Sequence, residues 1–150
     1  MVKTSDRQTK ERIHLKVLFV VECKKMEHTF TEGVYFLGDP CYALADTVYD
    51  DVWGRMYGYG EGKIVTESGS FIVASTEYGD GIYADQDGTE YPVDSGTIAL
   101  IPWHFCEKLS EESAEKYGRL FTTDESGLFK HSDNTIEVHC ADLFICINTD

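Results

Sequence analysis

From Gly33 onward the apolar positions of this chain fall in short runs, with Gly, Asp, Asn and Ser clustered between them. Short apolar runs bounded by turn formers are the pattern of strands rather than of helices. "GVYFLGDPCYAL" (33–44) reads as an aromatic strand stopped by Gly38-Asp39-Pro40, where proline fixes φ and pushes Asp39 toward extended backbone. "GKIVTE" and "SFIVAST" flank Ser68-Gly69 as the arms of a hairpin. Ile82–Ala84 and Glu90–Val93 flank Asp85-Gln86-Asp87-Gly88, whose aspartates can accept local backbone bonds and whose glycine can take positive φ. Pro92 cannot donate to a ladder, which puts its strand at a sheet edge or a bulge. "GTIALIP" (96–102) is apolar almost throughout and predicts a central, buried strand. The tail, "LFTT", "GLFKH", "NTIEVHC" and "LFICIN", is spaced as consecutive antiparallel strands.

Two stretches break this pattern with helical spacing. In the first, Val48, Val52 and Met56 recur at i, i+4, i+8 beside Tyr49 and Trp53, with Asp46 as the expected cap and Gly58 as the stop. The second spans Ser110 to Tyr117, with Ser110 as cap, Glu111 and Glu112 at the positive end, and Gly118 closing it. No alternation of strand and helix suggests a parallel doubly wound sheet. The expected fold is mostly β (α+β): an antiparallel sheet, or a small sandwich or barrel, with two short helices.

Residues 26–150 are expected to form a single β-rich domain, a size that 150 residues in all support. Residues 1–25 read as a basic N-terminal extension. Its first twelve residues are polar and without apolar period, and "IHLKVLFVVEC" (13–23) could add one strand. Met26 suggests where the domain proper begins, with the preceding residues an added arm or an over-extended start.

Charge sharpens the picture. Thirteen Lys and Arg stand against 27 Asp and Glu, a formal −14. Residues 1–25 carry seven basic and three acidic side chains, so the body is more acidic than the total suggests, at −18. Such a body lacks the cations that nucleic-acid binding draws on, and it suits solubility, cations or basic protein surfaces. Five cysteines, an odd number with no CxxC, fit a reduced, intracellular chain. Val17–Val21 is too short for a membrane span or a signal peptide core, so neither secretion nor a membrane helix is expected.

Candidate chemistry concentrates in "YGDGIYADQDGTEYPVDSG" (78–96), which holds five acidic residues, four glycines and three tyrosines. It is not a helix-loop-helix calcium loop: Gly88 follows Asp85-x-Asp87 too soon, and the flanks read as strands. His104-x-Cys106 and His139-Cys140 are the near pairs for zinc, and they fall short of a four-ligand set, so no metal is expected. No phosphate cradle occurs, "GYGEG" (58–62) does not open a helix after a strand, and no cofactor is expected. Ser95 lacks the G-x-S-x-G elbow. Nucleophilic catalysis would have to use Cys41 with a histidine such as His28, His104 or His139 and a carboxylate, giving Cys41, Asp39, Asp80 and His104 as catalytic candidates.

Three blocks, "GVYFLGDPCYAL", "TEYGDGIYADQDGTEYPVDSGTIALIP" and the closing "IEVHCADLFICINTD", resemble a family of small proteins of bacteria, their phages and large DNA viruses. In that family a Gly-Asp-Pro-Cys-Tyr turn precedes a Gly-Asp-Gly…Val-Asp-Ser/Ala-Gly block. The resemblance covers about residues 30–102 well and the tail loosely, and it implies a β-rich domain with no assigned activity. The matched positions lie at strand ends and turns. On one account Asp39, Asp80 and Asp94 accept backbone N–H groups and lock three turns together. On the other the turns converge on a shallow polar site formed by Asp39, Asp80, Asp94 and Ser95 with walls from Tyr42, Tyr78 and Tyr83. The expected function is a non-enzymatic domain that binds another protein or a small polar ligand. A small hydrolase or transferase using Cys41, a histidine and Asp39 or Asp80 is the alternative. A virion or capsid-associated protein whose basic arm docks on an acidic neighbour is the third.

Overall fold

A computed structural model describes residues 25–150. The basic arm apart from Lys25, which opens the first strand, Cys23 and the strand expected in 13–23 lie outside the described residues. Eleven strands account for about half of the described residues: β1 (Lys25–Phe30), β2 (Gly33–Gly38), β3 (Gly62–Thr66), β4 (Gly69–Ser75), β5 (Gly81–Asp85), β6 (Glu90–Val93), β7 (Thr97–Pro102), β8 (Gly118–Thr123), β9 (Gly127–Ser132), β10 (Thr135–Cys140) and β11 (Leu143–Asn148). They form two antiparallel sheets, a six-stranded one in the order β1-β9-β10-β11-β5-β6 and a five-stranded one in the order β3-β4-β7-β2-β8.

Alternation explains how the sheets stack. On β7, Ile98 and Leu100 point into a core shared with Phe129, Val138, Ile145 and Ile147 of the six-stranded sheet. Ala99 and Ile101 point the other way, into a second core with Trp53, Phe105 and Ala114 from the helical segments. Three layers result: the six-stranded sheet, the five-stranded sheet, and a cap of short helices. The apolar run "TIALIP" is continuous because the middle sheet is covered on both faces, and β7 lies at its centre as the pattern predicts. Pro92 sits on β6, an edge strand, also as predicted.

Two expectations need correction. The tail strands do not all run consecutively in one sheet: β9, β10 and β11 do, whereas β8 pairs with β2 in the other sheet. Gly38 and Gly118 face each other there, and a Cβ on Gly118 would run into the Leu37 carbonyl oxygen. The chain must be bare at that crossing for β2 and β8 to pair at all.

The second correction concerns the first helix. After α1 (Pro40–Ala43), the segment Thr47–Gly54 is wound as a π-helix and continues into α2 (Arg55–Tyr57). A π turn takes one more residue than an α turn, so an i, i+4, i+8 ladder drifts off the core. Val48 and Val52 are half-buried, Met56 is 70% exposed, and Trp53 takes the inward place, 1% exposed with its indole N–H on the Gly60 carbonyl at 2.9 Å. Asp46 does not cap this helix; its carboxylate pairs with Lys108 Nζ at 2.7 Å instead. The second helix, α3 (Glu111–Tyr117), follows expectation: Ser110 and Ser113 form a reciprocal capping box, and Gly118 follows the last turn. Among the described residues no helix is long and apolar enough to cross a membrane.

Candidate functional site

The Gly-Asp-Pro-Cys-Tyr turn and the Val-Asp-Ser-Gly block meet at one corner of the middle sheet. β2 ends at Gly38, and Asp39, in extended backbone, caps α1 with its side chain. The Asp39 carboxylate is fully buried and accepts four hydrogen bonds. Oδ1 takes Cys41 N at 2.8 Å and the Ser95 hydroxyl at 2.8 Å, while Oδ2 takes Asp94 N at 2.7 Å and Ser95 N at 2.8 Å. One carboxylate thus stitches two turns more than fifty residues apart. A side chain with two acceptor oxygens and no donor is what three N–H groups and a hydroxyl require.

The neighbours of Asp39 complete the corner. Ser95 Oγ also lies 2.6 Å from Thr97 Oγ1. The Tyr42 hydroxyl donates to Asp94 Oδ2 at 2.6 Å, and its ring stacks on Tyr117 with centroids 4.3 Å apart. That hydrogen bond, more than burial, raises the Tyr42 pKa. Burial first, then Asp39, pushes the Cys41 thiol up to about 12, so it stays protonated at neutral pH. A thiol so placed is a poor nucleophile.

Of the sequence candidates, Asp39, Tyr42, Asp94 and Ser95 come together here with Cys41. The others do not. Tyr78 is 72% exposed, Asp80 lies exposed in the turn before β5, and Tyr83 is buried with its hydroxyl on the Gly79 carbonyl at 2.8 Å. Asp94 is an acceptor for Tyr42 rather than for a backbone turn, so Asp39 alone does the locking ascribed to three aspartates. His104 sits at the far end of β7, where its Nε2–H donates to the Ser68 carbonyl at 2.9 Å. The span from Thr97 to Pro102 alone sets roughly 17 Å between that end and the corner, so His104 cannot serve Cys41. Among the described residues no group of three or more His, Cys, Asp and Glu could hold a metal ion.

A second buried carboxylate, Asp85, looks in the sequence like a turn former alone. Asp85 Oδ1 accepts Asp87 N at 2.9 Å and Thr89 N at 3.0 Å, and Oδ2 accepts the Tyr91 hydroxyl at 2.6 Å and Arg119 Nη1 at 3.2 Å. Burial alone would raise the Asp85 pKa, but the bonds from Tyr91, the two backbone N–H groups and Arg119 outweigh it and the net shift is downward. Arg119 belongs to β8, so this pair clasps one sheet to the other. Nothing local in the sequence marks a partner 34 positions away.

At the opposite end from the Asp39 corner, where β2 and β4 begin and β7 ends, the two sheets leave a cleft of about 580 Å³. Phe30, Tyr35, Ile72, Leu100 and Trp103 line it, with Lys63, Ser70, Glu32 and His104 about its mouth. The β1–β2 turn at its rim is held by Tyr35, whose hydroxyl donates to the Thr31 carbonyl at 2.7 Å and whose ring meets Phe30 edge-on at 5.1 Å. Sequence reasoning missed the cleft because its walls come from five separate segments, each of which looks like ordinary core. Compared with known proteins, the chain matches no family model, no curated protein and no solved structure.

Proposed function

We propose that this chain is a non-enzymatic binding domain whose ligand seat is the cleft between the sheets, and that the turns joined by Asp39 at the other end are its structural lock. The cleft carries this reading: a concave site with apolar and aromatic walls and a few polar groups at its mouth is the usual form of a small-ligand pocket. The hydrolase or transferase reading has less support. Both acceptor oxygens of Asp39 are committed to internal donors, the Cys41 thiol is held protonated, and His104 lies at the wrong end of β7.

The test uses the neutral apolar dye N-phenyl-1-naphthylamine and a variant that fills the mouth, Ser70→Trp. Ser70 is half-exposed on β4 opposite Val65 and on the face of Ile72, so a bulky side chain there narrows the cleft without entering the packed core. The dye is expected to bind the native chain at one site with enhanced fluorescence, and Ser70→Trp, at unchanged circular dichroism, to abolish it. A folded native chain that does not bind the dye overturns the reading.

A further inference from the structure

The geometry points to an organic anion as the ligand: an apolar, flat or hydrocarbon body carrying one carboxylate or sulfonate head, held by Lys63. This inference rests on the cleft being the binding seat and adds the chemical class of what enters it.

The cross-strand register carries the argument. Lys63 of β3 pairs with Ile72 of β4, Ile72 with Leu100 of β7, and Leu100 with Leu37 of β2. Directly paired residues share a face, so these four side chains form one row across the inner face of the middle sheet. Leu37, Leu100 and Ile72 are 0%, 1% and 3% exposed, and the row then ends in an exposed ammonium. β3 is the edge strand of its sheet, and its inner face is uncovered at Lys63 and at Val65, 57% exposed. An apolar floor running out to a cation is complementary to a molecule with an apolar body and an anionic end.

Among the described residues Lys63 is uncommitted, whereas four of the seven lysines and arginines are paired. Arg55, Lys108, Arg119 and Lys130 each pair with an acid, and Lys63 has no acidic partner among the described residues. In a chain of formal charge −14 a free ammonium beside an apolar cleft is a local exception that an anionic ligand would neutralise. His104 stands on the same rim with its Nε2–H committed to the Ser68 carbonyl, so the attraction for an anion there comes from Lys63. Glu32, in the β1–β2 turn, also lines the cleft. A carboxylate at the mouth repels a second negative charge, so the site favours a single-headed anion over a phosphate monoester or a dicarboxylate.

Two dyes of nearly the same body separate the possibilities: 8-anilinonaphthalene-1-sulfonate, which carries one anionic head, and neutral N-phenyl-1-naphthylamine. Titrated against the full chain, the sulfonate is expected to bind tighter than the neutral dye at low salt and to lose that advantage as ionic strength rises. Lys63→Glu is expected to weaken the sulfonate at least about tenfold more than the neutral dye, and Lys63→Arg to restore it. If Lys63→Glu affects both dyes alike, or the neutral dye binds and the sulfonate does not, the anion inference is overturned and the cleft reading stands. If the folded chain binds neither, both fall, and the cleft is filled from within the chain or by a protein surface. Lys63→Glu lies on an exposed edge position, and an unchanged thermal midpoint checks that it folds.

Discussion

Asp39 shows how much one side chain can decide. Its carboxylate is the single hub for two turns, and its chemistry leaves no room for a substitute. Asp39→Asn is nearly isosteric, but it turns an NH2 toward N–H or O–H donors and leaves at least one of them unpaired in a dry place. A loss of about 3 kcal/mol is expected, read as a lower urea midpoint at an unchanged slope. Cys41 offers a second test. With its thiol pushed up to about 12, it should be alkylated by iodoacetamide at pH 8 at least about tenfold more slowly than a cysteine in an unfolded peptide, as followed by peptide mass spectrometry. A faster reaction would return the thiol to the list of nucleophiles. Asp85 gives the pH dependence. Its folded pKa lies below its unfolded one, so its stabilisation is fully present above about pH 4 and is lost as the pH falls through the lowered folded value. Asp85→Asn should therefore be less stable than the parent at neutral pH and converge on it in acid, when unfolding free energy is measured against pH. The importance of Asp39 was legible from sequence, because an Asp before Pro and a distant Asp-Ser-Gly both ask for local backbone bonds. That the two would serve each other was not, since hydrogen-bond partners 55 and 56 positions apart leave no trace in spacing.

Strands and helices were legible to the extent that their signals are local. Hairpin turns, the proline edge and the central apolar strand each follow from a few adjacent residues, and each lies where the pattern puts it. α3 is the same kind of case. Its cap is a reciprocal pair of serines, and Ser110→Ala should cost about 1 kcal/mol in thermal or chemical unfolding. The π-helical segment shows where local reading fails: Val48, Val52 and Met56 recur every four residues, but the wider winding turns Trp53 inward and Met56 out. The destination of β8 was invisible for another reason. Its strand pattern is sound, and only the packing of a bare crossing at Gly38 and Gly118 selects β2 as its partner. Gly118→Ala is expected to be among the most damaging small substitutions, costing several times the roughly 1 kcal/mol typical of a point change, because the Cβ meets backbone that cannot move aside.

Across the whole molecule, a formal −14 means that compaction works against self-repulsion. Raising sodium chloride from about 0.01 M to about 0.1 M shortens the screening length from about 30 Å to about 10 Å. The thermal midpoint should rise over that range; a fall would mean that the Arg119 clasp and the other ion pairs outweigh the excess acid. Charge was fully legible in the sequence, whereas the cleft was not, because a cavity exists only where elements from different parts of the chain fail to touch. The layer order has a final consequence. With no wet side at its centre, the five-stranded sheet can become watertight there only after both neighbours have closed over it, so the amides of β7 should be among the last in the protein to take up deuterium. β7 is then the spine common to two separate interiors, and loosening either one should speed exchange along the same strand.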